Sequence, residues 1–322
     1  MFTGKFFALS VMVALMIAFP ALTGGAEYPD HPIEMILNYP PGASLDISTR
    51  IIHPPLQKIL GVPIMMSTKA GGGGALGADF LANSKPDGYR IGSLTFLALT
   101  TTPQFNKAVP YKMTDFIPVC THSMDPLGIV SRKDAPWKTF EELIDYAKKN
   151  PGKLSYGNPG MGGTGFIMME LVKIAYGLDI APVNFQGAGP LKTAILGGHV
   201  NVVMGGFSAF KPLVKEGSLI GLAVTSTKRL PDFPQIPTMI EKGFPEASLN
   251  ISNGIVVPKG TPKPILDKLS AAMATVMKDP AVSGLLEKSG VMPEYRDSPA
   301  TLKLWDEEWK AVEKVVKKLG VQ

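Results

Sequence analysis

The sequence has 322 residues and a formal net charge of +5, with 45% hydrophobic and 18% charged residues. This composition is typical of a globular protein with one large or two ordinary domains. The small, scattered positive charge argues against a nucleic-acid partner and is compatible with anionic small ligands. The single cysteine, Cys120, excludes an internal disulfide, so stability must come from the core.

The N-terminal residues have the pattern of a secretory signal peptide. Lys5 precedes an apolar run at 6–19, and small residues follow at 24–26. We expect residues 1–26 to be removed, which leaves a chain from Glu27 with a charge of +4, that is +5 less Lys5. The run is short for a transmembrane helix, so a retained membrane anchor is the less favoured alternative.

Beyond this segment, short apolar runs alternate with segments of helical periodicity. Strands are predicted, in chain order, at 33–39, 62–67, 89–95, 126–132, 153–158, 181–186, 200–206, 219–226 and 253–258. Helices are predicted from 46 onward and at 139–152, 163–177, 189–198, 207–217 and 264–279, and the segment 70–84 is predicted to be a loop that leads into a helix. The repeated β-α-β order predicts an α/β fold with doubly wound, mainly parallel sheets.

Local signals refine two of these helices. Thr139 and Glu142 have capping-box spacing, and Gly152 is predicted to mark the end of their helix. Asp46 is predicted to be the N-cap of the first helix, and a role as general base is the alternative. The prolines at 54–55 should break or restart that helix.

The last segment carries an apolar stripe at helical spacing. Its members are Trp305, Trp309, Val312, Val316 and Leu319. We expect the stripe to dock the C-terminal segment onto the body of the protein. A coiled-coil partner is less favoured because the segment is short.

Glycines collect where predicted strands end and helices begin, at Gly42, 71–74 with Gly77, 160–165, 187–189 and 205–206. Ligands of open α/β sheets bind at such loops, and helix N-termini there favour anions. Almost no Lys or Arg lies in these loops. Backbone N–H groups and the hydroxyls of Ser44, Thr95 and Thr164 would therefore have to bind an anion, in a pocket with neutral walls.

A dinucleotide site and an enzyme active site are disfavoured. Two loops match G-x-G-x-x-G, at 72/74/77 and 160/162/165, but the following strands end at 93–95 and 184–185 without the acidic residue that binds a ribose. No Walker loop or G-x-S-x-G elbow occurs, and the four histidines are scattered. Cys120 ends an apolar run and is interpreted as a packing residue. The sequence therefore predicts no catalytic residue, no cofactor and no metal.

Six runs form a pattern that covers nearly the whole mature chain in order: 28–50, 69–95, 150–165, 195–204, 222–245 and 256–273. The strings "KPDGY", "LAVTSTKRLPDFPQIPT" and "PKGTP" are together quite specific. On these residues the sequence resembles the Bug family, the periplasmic receptors of tripartite tricarboxylate transporters.

The resemblance implies a periplasmic, monomeric solute-binding protein, not an enzyme. It would capture a small carboxylate by closure of two lobes and deliver it to the permease subunits of the transporter. Lobe I is expected at 27–126 and 250–322, and lobe II at 127–249. The chain would cross between them near 126–130 and 250–256, and the C-terminal segment would return to lobe I.

In the resembling family, two loops grip a ligand carboxylate with backbone amides and ordered waters. The first loop maps onto 40–46 and the second onto 157–165, with Thr164 at the hydroxyl position. The ligand-binding residues expected on this basis are Tyr39, Pro41, Gly42, Ala43, Ser44, Asp46, Gly73, Gly74, Thr95, Phe96, Gly160, Met161, Gly163, Thr164, Phe166, Gly187, Ala188, Gly205, Gly206 and Phe207.

This chain departs from the family at several polar positions. It has Ala43 for a glycine, Gly163 and Phe166 for Ser and His, Gly205-Gly206 for Asp-Asn, and Thr68 and Ala75 for Asn. We hypothesise that the carboxylate anchor is kept and that the far end of the pocket is less polar than usual. The candidates for that wall are Phe96, Phe166, Phe207 and Met161, with core packing as the alternative for each.

An aliphatic or aromatic carboxylate then fits better than an amino acid, because an ammonium would need an acid that the pocket is expected to lack. Two other functions remain open from sequence. One is a sensor component of a carboxylate signalling system, and the other, disfavoured, is a dinucleotide-dependent enzyme.

Overall fold

The computed structural model describes residues 28–160, 163–244 and 249–320. Its strands form two separate sheets, each covered by helices, so the predicted two-lobed α/β class is confirmed. The predicted signal peptide, residues 1–26, and Met161 lie outside the described residues. Within the described ranges, no helix combines the length and the apolar character needed to cross a membrane.

Lobe I is built on a sheet of six strands: β1 (Ile33–Leu37), β2 (Ile64–Thr68), β3 (Arg90–Thr95), β4 (Phe116–Asp125), β10 (Ile251–Pro258) and β11 (Met292–Asp297). Their order across the sheet is β11-β4-β10-β3-β1-β2. Strand β1 pairs in parallel with β2 and β3, whereas β10 is antiparallel to β3 and β4, and β11 is antiparallel to β4.

Lobe II is built on a sheet of five strands: β5 (Leu127–Arg132), β6 (Leu154–Asn158), β7 (Ile180–Asn184), β8 (Val202–Gly206) and β9 (Leu219–Val224). Their order is β7-β6-β8-β5-β9. Strand β6 pairs in parallel with β7 and β8, and β5 is antiparallel to β8 and β9. Both sheets are thus mixed rather than mainly parallel, because the strands next to each crossing run against their neighbours.

The helices fall into two groups along the chain. Lobe I carries α1 (Ser44–Leu60), α2 (Ala75–Ala82), α3 (Leu97–Thr100), α4 (Thr102–Phe105), α9 (Lys263–Lys278), α10 (Pro280–Lys288) and α11 (Ser298–Leu319). Lobe II carries α5 (Phe140–Lys149), α6 (Thr164–Tyr176), α7 (Ala188–Leu196) and α8 (Phe207–Lys215). Short 3-10 helices lie at Gly72–Gly74 and Met113–Asp115.

The chain passes between the lobes at two neighbouring places. It leaves lobe I where β4 ends at Asp125 and enters lobe II where β5 begins at Leu127. It returns after β9, and β10 begins at Ile251. The two passages are tied together: the Leu127 N–H donates to Oγ1 of Thr225 over 2.8 Å, and the Thr225 N–H donates to the Leu127 carbonyl over 2.9 Å.

Helix α1 is continuous through Pro54 and Pro55, so the predicted break is wrong. Each interior proline removes one helical hydrogen bond and costs about 3 kcal/mol. Ile52 and Leu56, on either side of the pair, are fully buried in the lobe I core. Burial of each such side chain contributes about 1.5–3 kcal/mol, which offsets much of the proline cost.

Helix α5 begins with Thr139 as its N-cap, as predicted, and the Thr139 hydroxyl accepts the N–H of Glu142 over 3.2 Å. The Glu142 carboxylate, however, accepts from the Lys138 N–H rather than from Thr139, so only half of the capping box forms. The helix ends at Lys149, three residues before the predicted stop at Gly152.

Helix α11 docks onto the body, as the apolar stripe predicts, and it contacts both lobes. Trp305 packs edge-on against Phe96 in lobe I, with 5.1 Å between ring centroids. Val312, two turns later, is buried in the core cluster of lobe II. Helix α11 also carries a buried acid, Glu308, which accepts hydrogen bonds from the hydroxyls of Ser252 and Thr100.

Candidate functional site

A cleft lies between the two lobes. It has an outer cavity of about 680 Å³ and an inner chamber of about 70 Å³. The two spaces are continuous because they share part of their lining: Tyr39, Gly73, Pro159, Gly160 and Gly187. Loops from both lobes therefore face one space, and the inner chamber has room for a group of only a few atoms.

Helices from both lobes begin at the inner chamber, and three of them present a hydroxyl to it in their first turn. Ser44 opens α1 of lobe I, Thr164 opens α6 of lobe II, and Ser208 lies in the first turn of α8, and all three line the chamber. The first N–H groups of a helix have no carbonyl partner within it, and they carry the positive end of the helix dipole. The lining residues that the structure describes include no lysine or arginine. Such a chamber suits a small anionic group.

The Thr164 hydroxyl is the most informative atom of the chamber. The side chain is only 2% exposed, and its Oγ1 has no hydrogen-bond partner. A buried hydroxyl without a partner costs about 1–3 kcal/mol. Helix α6 places this hydroxyl beside its own N-terminus, so a bound anion would satisfy both.

On the lobe I side, a network of buried side chains fixes the chamber wall. The Thr95 hydroxyl donates to the amide oxygen of Asn253 over 2.8 Å, and the Thr95 N–H donates to Asn38 over 3.0 Å. The Asn253 amide lies 3.5 Å from the Ser44 hydroxyl. Asn253 of β10 thus fixes the end of β3 relative to the start of α1.

Glycines bring the loops close together. Gly74 has φ +90°, and a Cβ atom there would lie 2.6 Å from the amide nitrogen of Asn38. Gly187 of lobe II has φ +96°, and its Cβ would lie 3.1 Å from Cγ of Pro40 in lobe I. Only glycine suits both the conformation and the space at these positions.

The outer cavity has aromatic walls from both lobes. Phe166 of α6 and Phe105 of α4 both line it, and both pack partly against the lobe II core cluster. Tyr39 lies at the boundary with the inner chamber, and its hydroxyl donates to the Gly73 carbonyl over 3.2 Å. Burial raises the pKa of Tyr39 to about 12, so this side chain remains a neutral donor. Sequence reasoning missed Phe105, because it lies in a short helix outside the glycine-rich loops.

The structure does not place Phe96 or Phe207 on the pocket wall. Phe96 is fully buried against Trp305, and Phe207 is buried edge-on against Phe233 with ring centroids 5.3 Å apart. Phe96 is the N-cap of α3 and Phe207 begins α8, and their rings point into the core of their own lobe rather than into the cleft. Of the described candidates for an apolar wall, only Phe166 lies there.

Asp46 is not the N-cap of α1, which begins at Ser44 with Ala43 as its N-cap. The Asp46 carboxylate instead accepts the N–H of Gly42 over 3.0 Å and the Arg50 guanidinium over 2.9 Å. It therefore fixes the loop that leads into the helix, without lining the cleft. Three further predicted residues also do not line the cleft: Pro41 and Gly42 are exposed, and Gly205 is buried.

The other predicted residues line one or both spaces of the cleft: Tyr39, Ala43, Ser44, Gly73, Gly74, Thr95, Gly160, Gly163, Thr164, Phe166, Gly187, Ala188 and Gly206. The structure thus brings together loops that are more than 100 residues apart in sequence. The arrangement is the one in which two glycine-rich loops oppose each other across a cleft.

An acidic residue that sequence reasoning missed also lines the inner chamber. Asp125, the last residue of β4, is 1% exposed, and its carboxylate accepts the N–H and the hydroxyl of Ser208 over 3.0 and 2.6 Å. Burial raises the pKa of Asp125 to about 7, and hydrogen bonds from Ser208 and Ser44 oppose this rise. The expectation that the pocket lacks an acid is therefore wrong.

The remaining reactive groups lie away from the cleft. Cys120 is fully buried in the lobe I core, and burial raises its pKa to about 12, so the thiol is unreactive at neutral pH. His122 is also fully buried, and burial lowers its pKa to about 3, so the imidazole is neutral. Among the described residues, no group of three or more His, Cys, Asp and Glu side chains could hold a metal ion.

The model of one protein family matches residues 48–321 of this chain, and its description is "Tripartite tricarboxylate transporter family receptor". The chain belongs to this family. A protein encoded in the gbd 5' region of Cupriavidus necator is 32% identical over 308 residues, which cover 95% of this chain and 93% of that protein. The protein BugT of Bordetella pertussis is 30% identical over 272 residues, 83% of this chain and 82% of BugT.

Solved structures of Bug and related receptors share the fold. The periplasmic binding protein BugD has a TM-score of 0.84 and 28% identity, over 92% of this chain and 99% of that one. The Rhodopseudomonas palustris protein MatC, solved with malate, has a TM-score of 0.83 at 26% identity, over 90% of this chain and 100% of that one. The R. palustris protein Rpa4515, solved with adipate, has a TM-score of 0.86 at 27% identity, over 91% of this chain and 99% of that one.

The comparison confirms the predicted resemblance to the Bug receptors. A tripartite tricarboxylate receptor is a solute-binding protein for transport, which is not an enzyme class. Membership of this family and the likeness to periplasmic binding proteins imply a periplasmic location.

Proposed function

We propose that this receptor captures a small mono- or dicarboxylate with an apolar body, aliphatic or aromatic, and delivers it to the permease subunits of a tripartite tricarboxylate transporter. The observation that carries the proposal is the buried, unpartnered hydroxyl of Thr164 at the N-terminus of α6, in a chamber shared with the N-terminus of α1. A carboxylate is the common biological group that accepts several hydrogen bonds within so small a volume.

The inner chamber would hold the carboxylate without a charged partner. Backbone N–H groups at the starts of α1 and α6, with the hydroxyls of Ser44 and Thr164, supply donors from both lobes. Because these donors come from opposite sides of the cleft, the ligand would stabilise the form in which the lobes are closed. Water exclusion on closure would strengthen each of these hydrogen bonds.

The outer cavity supports an apolar ligand body. Phe105, Phe166 and the ring of Tyr39 face a space much larger than the chamber, and the rest of its lining is mostly glycine and proline. The similar receptors solved with adipate and with malate support a carboxylate as the ligand class. Of these two, adipate has the longer methylene chain and fits the aromatic walls better.

We further propose that the lobes move as units, with lobe I at 27–126 and 250–322 and lobe II at 127–249. The membership of the two sheets supports these bounds, since β4 ends at Asp125 and β10 begins at Ile251. The Leu127–Thr225 hydrogen bonds would form the hinge. The receptor would be exported by a cleaved signal peptide at 1–26 and would act as a monomer.

A ligand screen by thermal shift tests the proposal. The mature chain is heated with adipate, hexanoate, benzoate, malate, aspartate or glutamate at equal concentration. A ligand at 100 times its dissociation constant stabilises the folded state by about 2.7 kcal/mol, which raises the midpoint by several degrees. We expect stabilisation by adipate, hexanoate or benzoate. Stabilisation by aspartate or glutamate alone would contradict the apolar ligand body, and no shift with any carboxylate would contradict the function.

A further inference from the structure

Asp125 occupies an unusual position for a carboxyl group. It ends the last strand of lobe I before the crossing, yet both of its oxygens are bonded to Ser208 of lobe II. The Ser44 hydroxyl of α1 also donates to it. The side chain is thus enclosed between the starts of two helices from different lobes, and it lines the chamber where the ligand carboxylate would bind.

The neighbouring strand leaves room for this side chain. A Cβ atom on Gly206, at the end of β8, would lie 2.3 Å from Oδ2 of Asp125. Gly206 is one of the two glycines that stand where the resembling family often has Asp-Asn. In this chain the acid of this part of the cleft therefore comes from β4, and the end of β8 is bare backbone.

No cation balances Asp125 among the described residues that line the chamber. Three charged groups on the elements packed against it pair elsewhere: Arg50 with Asp46 on α1, Lys211 of α8 with Asp232, and Arg296 with Glu294 on β11. Lys58 and Lys215 lie in the last turns of α1 and α8, at the helix ends away from the chamber. Strands β8 and β10 carry no titratable side chain, Glu308 of α11 is bonded to hydroxyls, and Tyr39 is neutral. A ligand carboxylate would therefore meet an ionised Asp125 with nothing to offset the repulsion.

We propose that Asp125 is a ligand-binding residue of the inner chamber and that it holds a proton when the ligand carboxylate is bound. This inference rests on the proposed carboxylate-binding function. The proton comes from solvent on binding, so one receptor takes up one carboxylate together with one proton. The Ser208 hydroxyl lies 2.6 Å from Oδ2 of Asp125, so it can accept a hydrogen bond from the protonated carboxyl and turn its own hydrogen toward the chamber.

A neutral Asp125 also sets ligand choice. A carboxylic acid donates one hydrogen bond to a ligand carboxylate, whereas a ligand ammonium requires the ionised form. Hexanoate and norleucine differ only by the ammonium group at the second carbon. The receptor should therefore bind hexanoate at least tenfold more tightly than norleucine, about 1.4 kcal/mol.

The test is isothermal titration calorimetry of the mature chain with adipate, hexanoate and benzoate at pH 6–9, in buffers with different ionisation enthalpies. These ligand carboxylates stay ionised throughout this range. Since burial raises the pKa of Asp125 to about 7 in the free protein, uptake should approach one proton at pH 8. The affinity should fall about fifty-fold between pH 7 and pH 9.

Two variants separate Asp125 from other titrating groups. Asp125→Asn has an amide donor of similar shape, so binding should lose both its proton uptake and its pH dependence. Glu308→Gln removes another buried acid, whose pKa burial also raises to about 7, but which does not line the chamber. Proton uptake by Glu308→Gln should match that of the wild type. This comparison can be made even if Asp125→Asn does not fold.

Each outcome has a distinct meaning. Binding of a carboxylate without proton uptake, or tighter binding of norleucine than of hexanoate, overturns the inference about Asp125 and leaves the proposed function intact. Failure to bind any of the three carboxylates overturns the proposed function itself and this inference with it.

Discussion

Asp125 and Gly206 share one space at the junction of the lobes, because a Cβ atom on residue 206 would lie 2.3 Å from Oδ2 of Asp125. The buried carboxyl at the end of β4 is thus possible only because β8 ends in glycine. This relationship joins a residue of lobe I to a residue of lobe II inside the candidate chamber. The chamber therefore has no room for a methyl group at residue 206 unless Asp125 moves.

Gly206→Ala should displace Asp125 and weaken ligand binding. Overpacking of this kind costs about 1–3 kcal/mol of folding free energy, and carboxylate affinity should fall with it. The matched control is Gly205→Ala, whose Cβ would lie 3.3 Å from the edge of the Phe210 ring and 3.6 Å from Cδ2 of Leu191, and so would contact side chains only. Denaturant unfolding and calorimetric titration measure both effects. An alanine at 206 that leaves stability and affinity unchanged would show that Asp125 does not occupy this space.

Thr164→Val should separate binding from stability. The buried Thr164 hydroxyl has no hydrogen-bond partner in this structure, so its replacement by a methyl group should raise the free energy of unfolding by about 1–3 kcal/mol. Carboxylate affinity should fall about tenfold, since a hydrogen bond to a charged group is lost. Thr164→Ser keeps the hydroxyl and should bind nearly as the wild type does. Equal affinity in all three proteins would remove this hydroxyl from the binding site.

Asp46→Ala should loosen the loop that precedes α1. Its carboxylate accepts the Gly42 N–H, and loss of this charged hydrogen bond should cost about 1–2 kcal/mol of stability, with a modest loss of affinity. Asp46→Asn retains an acceptor oxygen and should recover most of the stability. Arg50→Ala should cost less than 0.5 kcal/mol, roughly the value of an exposed ion pair. If Arg50→Ala proves as costly as Asp46→Ala, the ion pair rather than the loop hydrogen bond is the important contact.

Truncation of Phe166 should mainly weaken ligand binding, whereas truncation of Phe96 should mainly reduce stability. Phe166→Ala removes an aromatic wall of the outer cavity, so affinity for hexanoate should fall about tenfold, with a smaller effect on malate. Phe96→Ala opens a cavity beneath Trp305 and should cost about 3–5 kcal/mol of stability. Thermal unfolding and titration with both ligands distinguish the two. Equal losses for hexanoate and malate in Phe166→Ala would exclude an apolar contact.

Glu308→Gln should reduce the loss of stability as pH rises. Burial raises the pKa of Glu308 to about 7, above the ordinary glutamate value. Between these values the folded protein holds a proton that the unfolded chain has released, so stability falls as pH rises through this window. The decrease in unfolding free energy from pH 5 to pH 8 should be smaller in the variant by about 2 kcal/mol. Parallel pH profiles for both proteins would show that Glu308 is ionised when folded.

The sequence predicted most helices and strands because their periodicity and end signals are local. It missed β4, β11, α10 and the short helices α3 and α4, although the run "FIPVC" lies within β4. It also predicted mainly parallel sheets, because strand direction at the crossings depends on how the chain re-enters each lobe. The predicted break of α1 at its prolines was wrong for a similar reason, since burial of Ile52 and Leu56 is a tertiary effect.

The candidate site was predictable where it consists of glycine-rich loops at helix starts. Ser44 and Thr164 follow from that rule, and both line the chamber. Asp125 was not predictable, because its environment is set by Ser208, 83 residues away in sequence. Whether an aromatic ring at a helix start faces the core or the cleft also depends on packing, which is why Phe166 lines the cavity and Phe207 does not.

The most direct test of the account is the crystal structure of the mature receptor with adipate. We predict closed lobes and one adipate carboxylate in the inner chamber, with an oxygen about 3 Å from Oγ1 of Thr164 and hydrogen bonds from the first N–H groups of α1 and α6. The methylene chain should pass between Phe105 and Phe166. A carboxylate bound outside the inner chamber, with the Thr164 hydroxyl still unpartnered, would contradict the account.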